Sequence, residues 1–288
     1  MESNKYDDFI ADDGPKDAAE QFRLGYVYEK KQDFAKATHW YQKAAEQGHT
    51  GAQYNLGIYY RNGWGVEQDS AKAVYWYRKA ADQGHANAQF NLGYSYEKGN
   101  GVDKNLEQAV HWYRKAADQG HAKGQCALGK RYVLGRGIKQ DYAQAVHWFK
   151  KSADQGYAVA QSHLGLCYER GEGVEKDFAE AVHWYKKATD QGQAQAQYFL
   201  GRCYSVGRGV KANQEQAIYW YRKSAEQGDA QAQFILGMRY RDGDSVQSDP
   251  DLAAYWLRQA ADQGHQKALD SLLKPKSDFV TKIGGILQ

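Results

Sequence analysis

Apolar residues recur along the chain with helical spacing, and the whole pattern repeats every 36 residues. In the third repeat they are four residues apart at Ala88, Leu92 and Tyr96, and after a glycine-rich interruption they follow the spacing i, i+3, i+4, i+7. Such spacings place side chains on one face of an α-helix. The repeat therefore predicts two helices, helix A over about 86–98 and helix B over about 106–119.

The stretch HWYRKAADQGH contains histidines, an acid and bases that would suit an active site, but close copies of it occur throughout the chain. Its tryptophan recurs at intervals of 36 residues, as Trp40, Trp76, Trp112, Trp148, Trp184, Trp220 and Trp256. A catalytic site occurs once per domain, whereas a building unit recurs. A helical hairpin of this size leaves apolar surface that only its neighbours can cover, so the repeats predict a stacked solenoid.

The residues between the apolar stripes predict where the helices begin and end. The residue before each helix B is always Asp or Asn, which accept hydrogen bonds from the free amides of a first turn. These predicted N-caps are Asp33, Asp69, Asn105, Asp141, Asp177, Asn213 and Asp249. Pro250 then falls at the first helical position, where proline is tolerated. Gly93 follows the shared leucine and recurs as Gly57, Gly129, Gly165, Gly201 and Gly237, which indicates close helix contact. Gly99 suits a left-handed helix end.

Together these positions read A-x-x-x-L-G-x-x-Y-x-x-G-x-G-V, then an Asp or Asn cap, then A-x-x-W-Y-x-K-A-A. This pattern resembles the Sel-like repeat (SLR) family, which is related to tetratricopeptide repeats, over about residues 17–273. The resemblance implies an all-α, right-handed solenoid of about seven antiparallel helix pairs with a C-terminal capping helix. Residues 1–16 are expected to be an acidic, flexible segment, and residues 274–288 a tail.

Three parts of the chain depart from the family pattern. The first repeat, LGYVYEKKQDFAKATHWYQKA, lacks four loop residues and looks more like a tetratricopeptide repeat. The seventh has GDSV where the others have G-x-G-V. The last segment, HQKALDSLLKPK, begins a helix A that Pro275 is expected to end, which is typical of a cap.

Composition narrows the choice of function. A net charge of +3 argues against a dedicated nucleic-acid binder. The sequence contains no apolar run long enough to span a membrane, and its acidic start is unlike a signal peptide. We expect a cytoplasmic protein, or an exported one whose signal is absent from this sequence. The three cysteines, Cys126, Cys167 and Cys203, do not form a disulfide framework and are expected to be buried thiols.

The candidate chemistry favours a structural interpretation. The histidines recur one repeat apart, which is too far for shared metal ligands, and the G-x-G loops lack the strand and the Gly-Lys-Ser/Thr ending of a phosphate loop. The sequence shows no nucleophile–base pattern, so we expect no catalysis, metal or cofactor. Hydrolysis of β-lactam-like compounds has been proposed for some cysteine-rich relatives. Since this chain lacks their paired cysteines, that activity stays an alternative.

A second alternative is polyanion binding by helix B. Each helix B from the second repeat to the sixth carries two adjacent bases, here called the basic pairs: Arg78-Lys79, Arg114-Lys115, Lys150-Lys151, Lys186-Lys187 and Arg222-Lys223. Acids one turn away, such as Asp82 and Asp118, can neutralise them. A solvated, self-neutralised face is therefore the favoured interpretation.

Positions that differ between otherwise similar repeats are free to bind a partner. In helix A they lie on a face separate from the shared one, and the resemblance implies that this face lines a concave groove where ligands bind. The predicted contacts are Tyr94, Lys98, Lys130, Arg131, Leu134, His163, Leu166, Arg170, Phe199, Arg202, Val206, Ile235, Met238 and Arg239. Trp64, alone at its loop position, is either a further contact or packs on its own hairpin.

From the fourth repeat onward this face combines cations, which we expect to be unnecessary for packing, with apolar residues. The apolar residues are either exposed to a partner or pack between neighbouring helices. That chemistry suits an extended peptide with acidic groups or a free carboxylate end. We therefore predict a non-catalytic scaffold or adaptor for a protein or peptide partner, with no nucleic acid and no membrane span. The resemblance implies roles in signalling, secretion, quality control or host interaction, mostly in bacteria. The oligomeric state stays open.

Overall fold

A computed structural model describes residues 15–273, and within that range the chain is helical, without strands. The helices are α1 Ala18–Lys30, α2 Phe34–Glu46, α3 Thr50–Asn62, α4 Ser70–Asp82, α5 Ala86–Lys98, α6 Leu106–Asp118, α7 Ala122–Leu134, α8 Tyr142–Asp154, α9 Ala158–Arg170, α10 Phe178–Thr189, α11 Ala194–Val206, α12 Gln214–Glu226, α13 Ala230–Asp242, α14 Pro250–Asp262 and α15 Gln266–Leu273. The expected tail 274–288, with Pro275, and most of the expected segment 1–16 lie outside the described residues.

The helices confirm the predicted architecture, an all-α repeat solenoid. Within residues 15–273, odd-numbered helices from α1 to α13 are helix A, even-numbered ones are helix B, and α15 follows the seventh pair. The helix A predicted over 86–98 is α5, with the same bounds. The helix B predicted to 119 is α6, which ends one residue earlier, and Gln119 is its C-cap.

The predicted caps form because their side chains accept hydrogen bonds from first-turn amides. The Asn105 Oδ1 atom accepts from the Gln108 amide at 2.9 Å, and Asp69 and Asp141 cap their helices in the same way. Pro250 lies in the first turn of α14 behind its cap Asp249. Replacing such a cap with alanine typically costs about 1 kcal/mol. The polar sequence between the two apolar stripes therefore sets the start of each helix B.

Glycines allow the two helices of a pair to approach closely. A Cβ atom on Gly93 would lie 2.8 Å from Cδ1 of Tyr113 and 3.1 Å from the Ala109 carbonyl oxygen. The loop glycine Gly101 has φ of +71°, and a Cβ there would collide with the Ser70 carbonyl group of the preceding repeat. The glycines therefore serve packing, which confirms the prediction of close helix contact.

Backbone contacts divide the chain into two compact units, residues 1–151 and 152–288, and the division falls inside α8. In the first unit successive helices from α1 to α7 pack on one another, and in the second unit so do successive helices from α9 to α15. Fully buried leucines run through each unit: Leu24, Leu56, Leu92 and Leu128 in the first, and Leu164, Leu200 and Leu236 in the second. The shared positions therefore contribute to the core of each unit.

A repeated glutamine pair joins the two helices of a repeat and bonds to the preceding repeat, and the sequence analysis did not single it out. The Gln89 amide nitrogen donates to the Ala81 carbonyl at 3.1 Å, while its oxygen accepts from Gln119 at 2.7 Å. Gln89 is buried. In the second unit, Gln197 accepts from Gln227 in the same way, at 2.7 Å. Buried amides must be hydrogen-bonded, and Gln89 meets that demand with Gln119 inside its own repeat and with Ala81 across the joint to the preceding one.

Candidate functional site: the helix A face

The shared leucine of each helix A provides a reference for the variable residues around it. Among the predicted contacts of the first unit, those two and six positions after this leucine are Tyr94 and Lys98 on α5, and Lys130 and Leu134 on α7. All four are exposed, Tyr94 by 44% and Leu134 by 46%. We call the surface formed by these two positions in each unit the helix A face. Here the predicted exposure is confirmed.

In the second unit the same positions are more mixed. Arg170 on α9 and Val206 on α11 are exposed. The Arg170 guanidinium lies 3.7 Å from a Glu172 carboxylate oxygen. Leu166 and Met238 are half-buried because they pack against the core of this unit. Two other predicted contacts one residue before the shared leucine, His163 and Ile235, are half-buried as well. The helix A face of the second unit is therefore less open than that of the first.

Arg131 is not a free cation of this surface. It is only 7% exposed, and its guanidinium lies 3.4 Å from the Glu97 carboxylate of the preceding repeat. The other oxygen of Glu97 accepts a hydrogen bond from the Tyr113 hydroxyl at 2.9 Å. In this tyrosine–glutamate–arginine cluster one carboxylate contacts two buried polar side chains, although the Arg131 Nε atom has no hydrogen-bond partner. The expectation that Arg131 is unnecessary for packing is therefore wrong.

The second unit builds the same cluster from Tyr185, Glu169 and Arg202. Glu169 is buried and accepts from the Tyr185 hydroxyl at 2.7 Å, and Arg202 forms an ion pair with its other oxygen. Burial and the neighbouring carboxylate both raise the pKa of Tyr185, so its hydroxyl keeps its proton. Arg202 is thus held by its own chain, and the expectation that it is a free cation is wrong.

Arg239 and Phe199 also depart from the sequence expectation. The Arg239 guanidinium donates to the Ser205 hydroxyl at 2.8 Å and lies 3.4 Å from Asp244, with most of its side chain covered. Phe199 is 8% exposed, because its ring packs against Tyr185 at 5.2 Å between centroids. Both side chains fill space between helices of the second unit. Their predicted exposure is wrong.

A pocket that the sequence analysis did not predict lies between the second and third repeats. It encloses about 130 Å³, and its lining includes Arg61, Tyr77, Asn91, Tyr94 and Ser95. Desolvation raises the pKa of Tyr77 to about 12, with the nearby Arg61 charge acting in the opposite direction. The pocket adjoins the helix A face through Tyr94. The signal for it in the sequence is Arg61, which stands where the third repeat has Glu97.

The histidines that follow the Gln-Gly turns serve as helix N-caps. The His121 Nδ1 atom accepts from the Gly124 amide at 3.0 Å, so Nε2 bears the proton and donates to Asn87 at 2.8 Å. His85 caps α5 in the same way. Desolvation lowers the pKa of both histidines, and Lys123 adds to the effect at His121. Sequence reasoning found their repetition but not this role, because histidine is not among the preferred cap residues.

The basic pairs are engaged with aromatic side chains. Arg78 donates to the Tyr96 hydroxyl at 2.7 Å and Arg114 to that of Tyr132 at 2.7 Å, each in the following repeat. Lys115 lies over the Trp112 ring at 4.8 Å. Among residues 15–273, neither Asp82 nor Asp118 forms an ion pair with these bases. Among the described residues, the expected ion pairs with Asp82 and Asp118 are therefore not formed, and uncharged aromatic groups contact Arg78, Arg114 and Lys115 instead.

Trp64 packs on its own hairpin and the one before it, as one of its two interpretations predicts. Its ring stacks on Phe34 at 5.6 Å and meets Tyr59 edge-on at 5.6 Å. The Trp64 carbonyl accepts a hydrogen bond from Thr38 at 3.1 Å. Because 41% of the residue stays exposed, the packing leaves surface that a partner can reach.

The three cysteines are buried and free, as predicted. Burial raises the pKa of each thiol to about 12. Across the described range 15–273, no three His, Cys, Asp or Glu side chains are grouped so that they can hold a metal ion. In the same range no helix is long and apolar enough to cross a membrane.

Comparisons with known proteins agree with this geometry. The Sel1 repeat model matches seven consecutive segments: 21–49, 50–85, 86–121, 122–157, 158–193, 194–229 and 230–265. The first of these includes the repeat expected to look more like a tetratricopeptide repeat. Comparison with functionally curated proteins finds no match.

Two solved structures are similar over most of the chain. One is a Sel1 repeat protein from Oxalobacter formigenes, with 38% identity, a TM-score of 0.80, and coverage of 83% of this chain and 96% of that one. The other is a protective antigen of uropathogenic Escherichia coli with an SLR fold, with 40% identity and a TM-score of 0.76. That alignment covers 88% of this chain but only 55% of the antigen's length. The family model matches seven repeats of the sequence, and the two solved structures share the fold. The chain therefore belongs to the Sel1 repeat family.

Proposed function

We propose that this protein is a non-catalytic interaction scaffold whose helix A face binds a protein or peptide partner. Sel1 repeat proteins are in general protein-interaction scaffolds. The observation that supports this face is that the variable residues on it are exposed. The shared residues, in contrast, are buried in the core. In the first unit, Tyr94 and Leu134 leave large apolar side chains exposed beside Lys98 and Lys130.

The charges of this face favour an acidic partner. Within residues 15–273, Lys98 and Lys130 form no ion pair, and Lys98 lies over the Tyr94 ring at 5.7 Å. Exposed aromatic rings and fixed cations suit an extended segment that presents carboxylates between apolar side chains. Such a segment can belong to a folded protein or to a peptide. The chemistry of the binding surface is therefore apolar anchors with surrounding positive charge.

Site-specific photo-cross-linking tests this proposal. A photoreactive phenylalanine in place of Tyr94 is compared with the same residue in place of Tyr75, an equally exposed tyrosine on helix B. Each variant is irradiated in an extract of the cells that produce the protein, and adducts are identified by mass spectrometry. We expect a discrete adduct from position 94 and none from position 75. Adducts from position 75 alone would contradict the proposed face.

The alternatives have less support. Polyanion binding by helix B has weaker support because Arg78 and Arg114 are held by tyrosine hydroxyls, although Lys79 and Lys115 are exposed. Hydrolysis needs a reactive nucleophile, and burial with a raised pKa makes each thiol a poor one. We expect no turnover of a chromogenic β-lactam such as nitrocefin, and turnover that survives further purification would restore the hydrolase alternative.

A further inference from the structure

A buried tyrosine of helix B meets a glutamate of helix A in three of the repeats. Tyr113 donates to Glu97 at 2.9 Å and Tyr185 to Glu169 at 2.7 Å. In the first repeat, Tyr41 donates to Glu29 at 2.5 Å. Each glutamate lies five residues after the shared leucine of its helix. A carboxylate at this position is therefore the usual partner of the tyrosine hydroxyl wherever the chain supplies one.

The second repeat keeps the tyrosine and replaces the carboxylate with a cation. Tyr77 occupies the place of Tyr113 and is 1% exposed, while Arg61 occupies the place of Glu97. The Tyr77 hydroxyl is buried and makes no hydrogen bond of normal geometry, although Asn91 lies close enough to influence its pKa. A buried hydroxyl without a partner costs roughly 1–3 kcal/mol. Such a group lacks an acceptor.

The surroundings of Tyr77 suit a negatively charged acceptor. The pocket of about 130 Å³ is lined by the Tyr77 side chain together with Arg61, Asn91, Tyr94 and Ser95, and no carboxylate lines it. Among residues 15–273, Arg61 forms no ion pair, and its Nε atom donates only to the neutral Asn62 side chain at 3.2 Å. The pocket thus combines one cation with several neutral hydrogen-bonding groups.

We propose that this pocket binds a carboxylate group of the partner, in the place that Glu97 occupies beside Tyr113 in the next repeat. Arg61 supplies the charge, the Tyr77 hydroxyl donates to one oxygen, and the Asn91 amide lies within the same pocket. Hydrogen bonds to a charged acceptor are roughly twice as strong as neutral ones. The proposal rests on the proposed function, since Tyr94 is shared by the pocket and the helix A face. It adds a specific ligand group to that face.

A titration of the isolated chain with small probes tests the subsite without an identified partner. The probe is N-acetyl-glutamate α-amide, and the neutral control is N-acetyl-glutamine α-amide, with binding followed by the side-chain NMR signals of arginine. We expect the acid to shift the Arg61 signal in a saturable way and the amide to leave it unchanged. N-acetyl-glycine tests a terminal carboxylate instead, and inorganic phosphate tests a larger anion. Equal response to the acid and the amide, or preference for phosphate, would overturn the carboxylate assignment.

Three variants locate the binding. Arg61→Gln and Tyr77→Phe should each lower the affinity for the acidic probe by about tenfold, as expected for the loss of one charge-assisted hydrogen bond. Arg136→Gln is the matched control, because Arg136 is an exposed arginine of the same unit outside the pocket. It should leave the affinity unchanged. Undiminished binding in both pocket variants would contradict the proposal.

A fourth variant tests the geometry without any ligand. In Arg61→Glu, the introduced carboxylate should reach the Tyr77 hydroxyl as Glu97 reaches Tyr113, which should abolish probe binding and raise the melting temperature. In the Tyr77→Phe background the same change should give no such rise, since the hydroxyl is gone. A rise that is equal in both backgrounds would show that the two side chains do not meet. Failure of these probe experiments would remove the subsite only, because the cross-link at position 94 tests the face independently.

Discussion

The second and third repeats share their backbone and their core, yet they differ at one position that changes what the helix A face presents. In the third repeat, Glu97 accepts a hydrogen bond from Tyr113 of its own repeat and forms an ion pair with Arg131 of the next. In the second, Arg61 leaves Tyr77 without an acceptor and opens a pocket. At this position a glutamate stabilises the third repeat, whereas an arginine leaves the second repeat with a pocket that can bind a ligand.

The largest effect is expected at a position that the two repeats share. Trp112→Ala removes a buried ring from the core of the first unit and should lower the free energy of unfolding by roughly 3–5 kcal/mol. The control Tyr75→Ala alters an exposed ring on the neighbouring helix B and should change it by less than about 0.5 kcal/mol. Urea denaturation measures both. Equal loss in the two variants would contradict the assignment of shared residues to the core.

The next largest effect separates the two repeats. Glu97→Ala leaves the buried Arg131 charge and the Tyr113 hydroxyl without their acceptor, and should cost roughly 2–4 kcal/mol, less than a fully buried pair because Glu97 is partly exposed. Arg61→Ala at the equivalent position should stay within about 0.5 kcal/mol. Urea denaturation measures the free energy of unfolding of both variants. A costly Arg61→Ala would mean that the second repeat depends on this arginine for its stability.

A smaller effect distinguishes the two tyrosines. Tyr113→Phe removes a hydrogen bond to a carboxylate and should lower the free energy of unfolding by about 1–2 kcal/mol. Tyr77→Phe removes a buried hydroxyl that has no acceptor and should be neutral or slightly stabilising. Thermal melts of the two variants give the comparison. If Tyr77→Phe were as destabilising as Tyr113→Phe, the hydroxyl would have a partner within the protein.

The smallest effect concerns the histidine caps and depends on pH. The pKa of His121 is below its usual 6.5 in the folded protein, so its contribution is complete above pH 6.5 and is lost as pH falls through the folded pKa. Protonation also places a proton on the Nδ1 atom that accepts from Gly124. His121→Asn should keep the cap and reduce this acid-induced loss by about 1 kcal/mol. Melting temperatures at pH 7.5 and 5 measure it, and an unchanged pH dependence would contradict the capping role.

Most of the fold could be predicted from the sequence because it depends on local signals. Asn105 marks the start of a helix and Gly99 the end of one, and the apolar spacing between them sets the face that packs. The clusters on the helix A face could not be predicted in this way. Arg131 lies three residues after its shared leucine and Arg202 only two, yet each reaches a glutamate of the preceding repeat.

These pairings depend on the joint between repeats, where side chains of two helices meet. Variation between repeats predicts freedom from packing, and the exposed side chains of Lys98 and Lys130 confirm this prediction. Phe199 varies for another reason, because its ring fills space between the helices and packs on Tyr185. A variable position is therefore open to a partner only where no neighbouring repeat contacts its side chain. The exposed fraction of a side chain shows whether a variable residue is open to a partner or packs against a neighbouring repeat. This fraction cannot be read from the sequence.

The most direct test of the central claim reverses charge on the two faces of the first unit. Lys98→Glu with Lys130→Glu alters the helix A face, and Lys79→Glu with Lys115→Glu alters exposed lysines of helix B. Affinity for the partner cross-linked at position 94 is measured by titration for both double variants and for the unaltered protein. We expect the helix A variant to bind at least about tenfold more weakly, because attraction becomes repulsion, and the helix B variant to bind as the unaltered protein does. Loss of binding in the helix B variant alone would contradict the account.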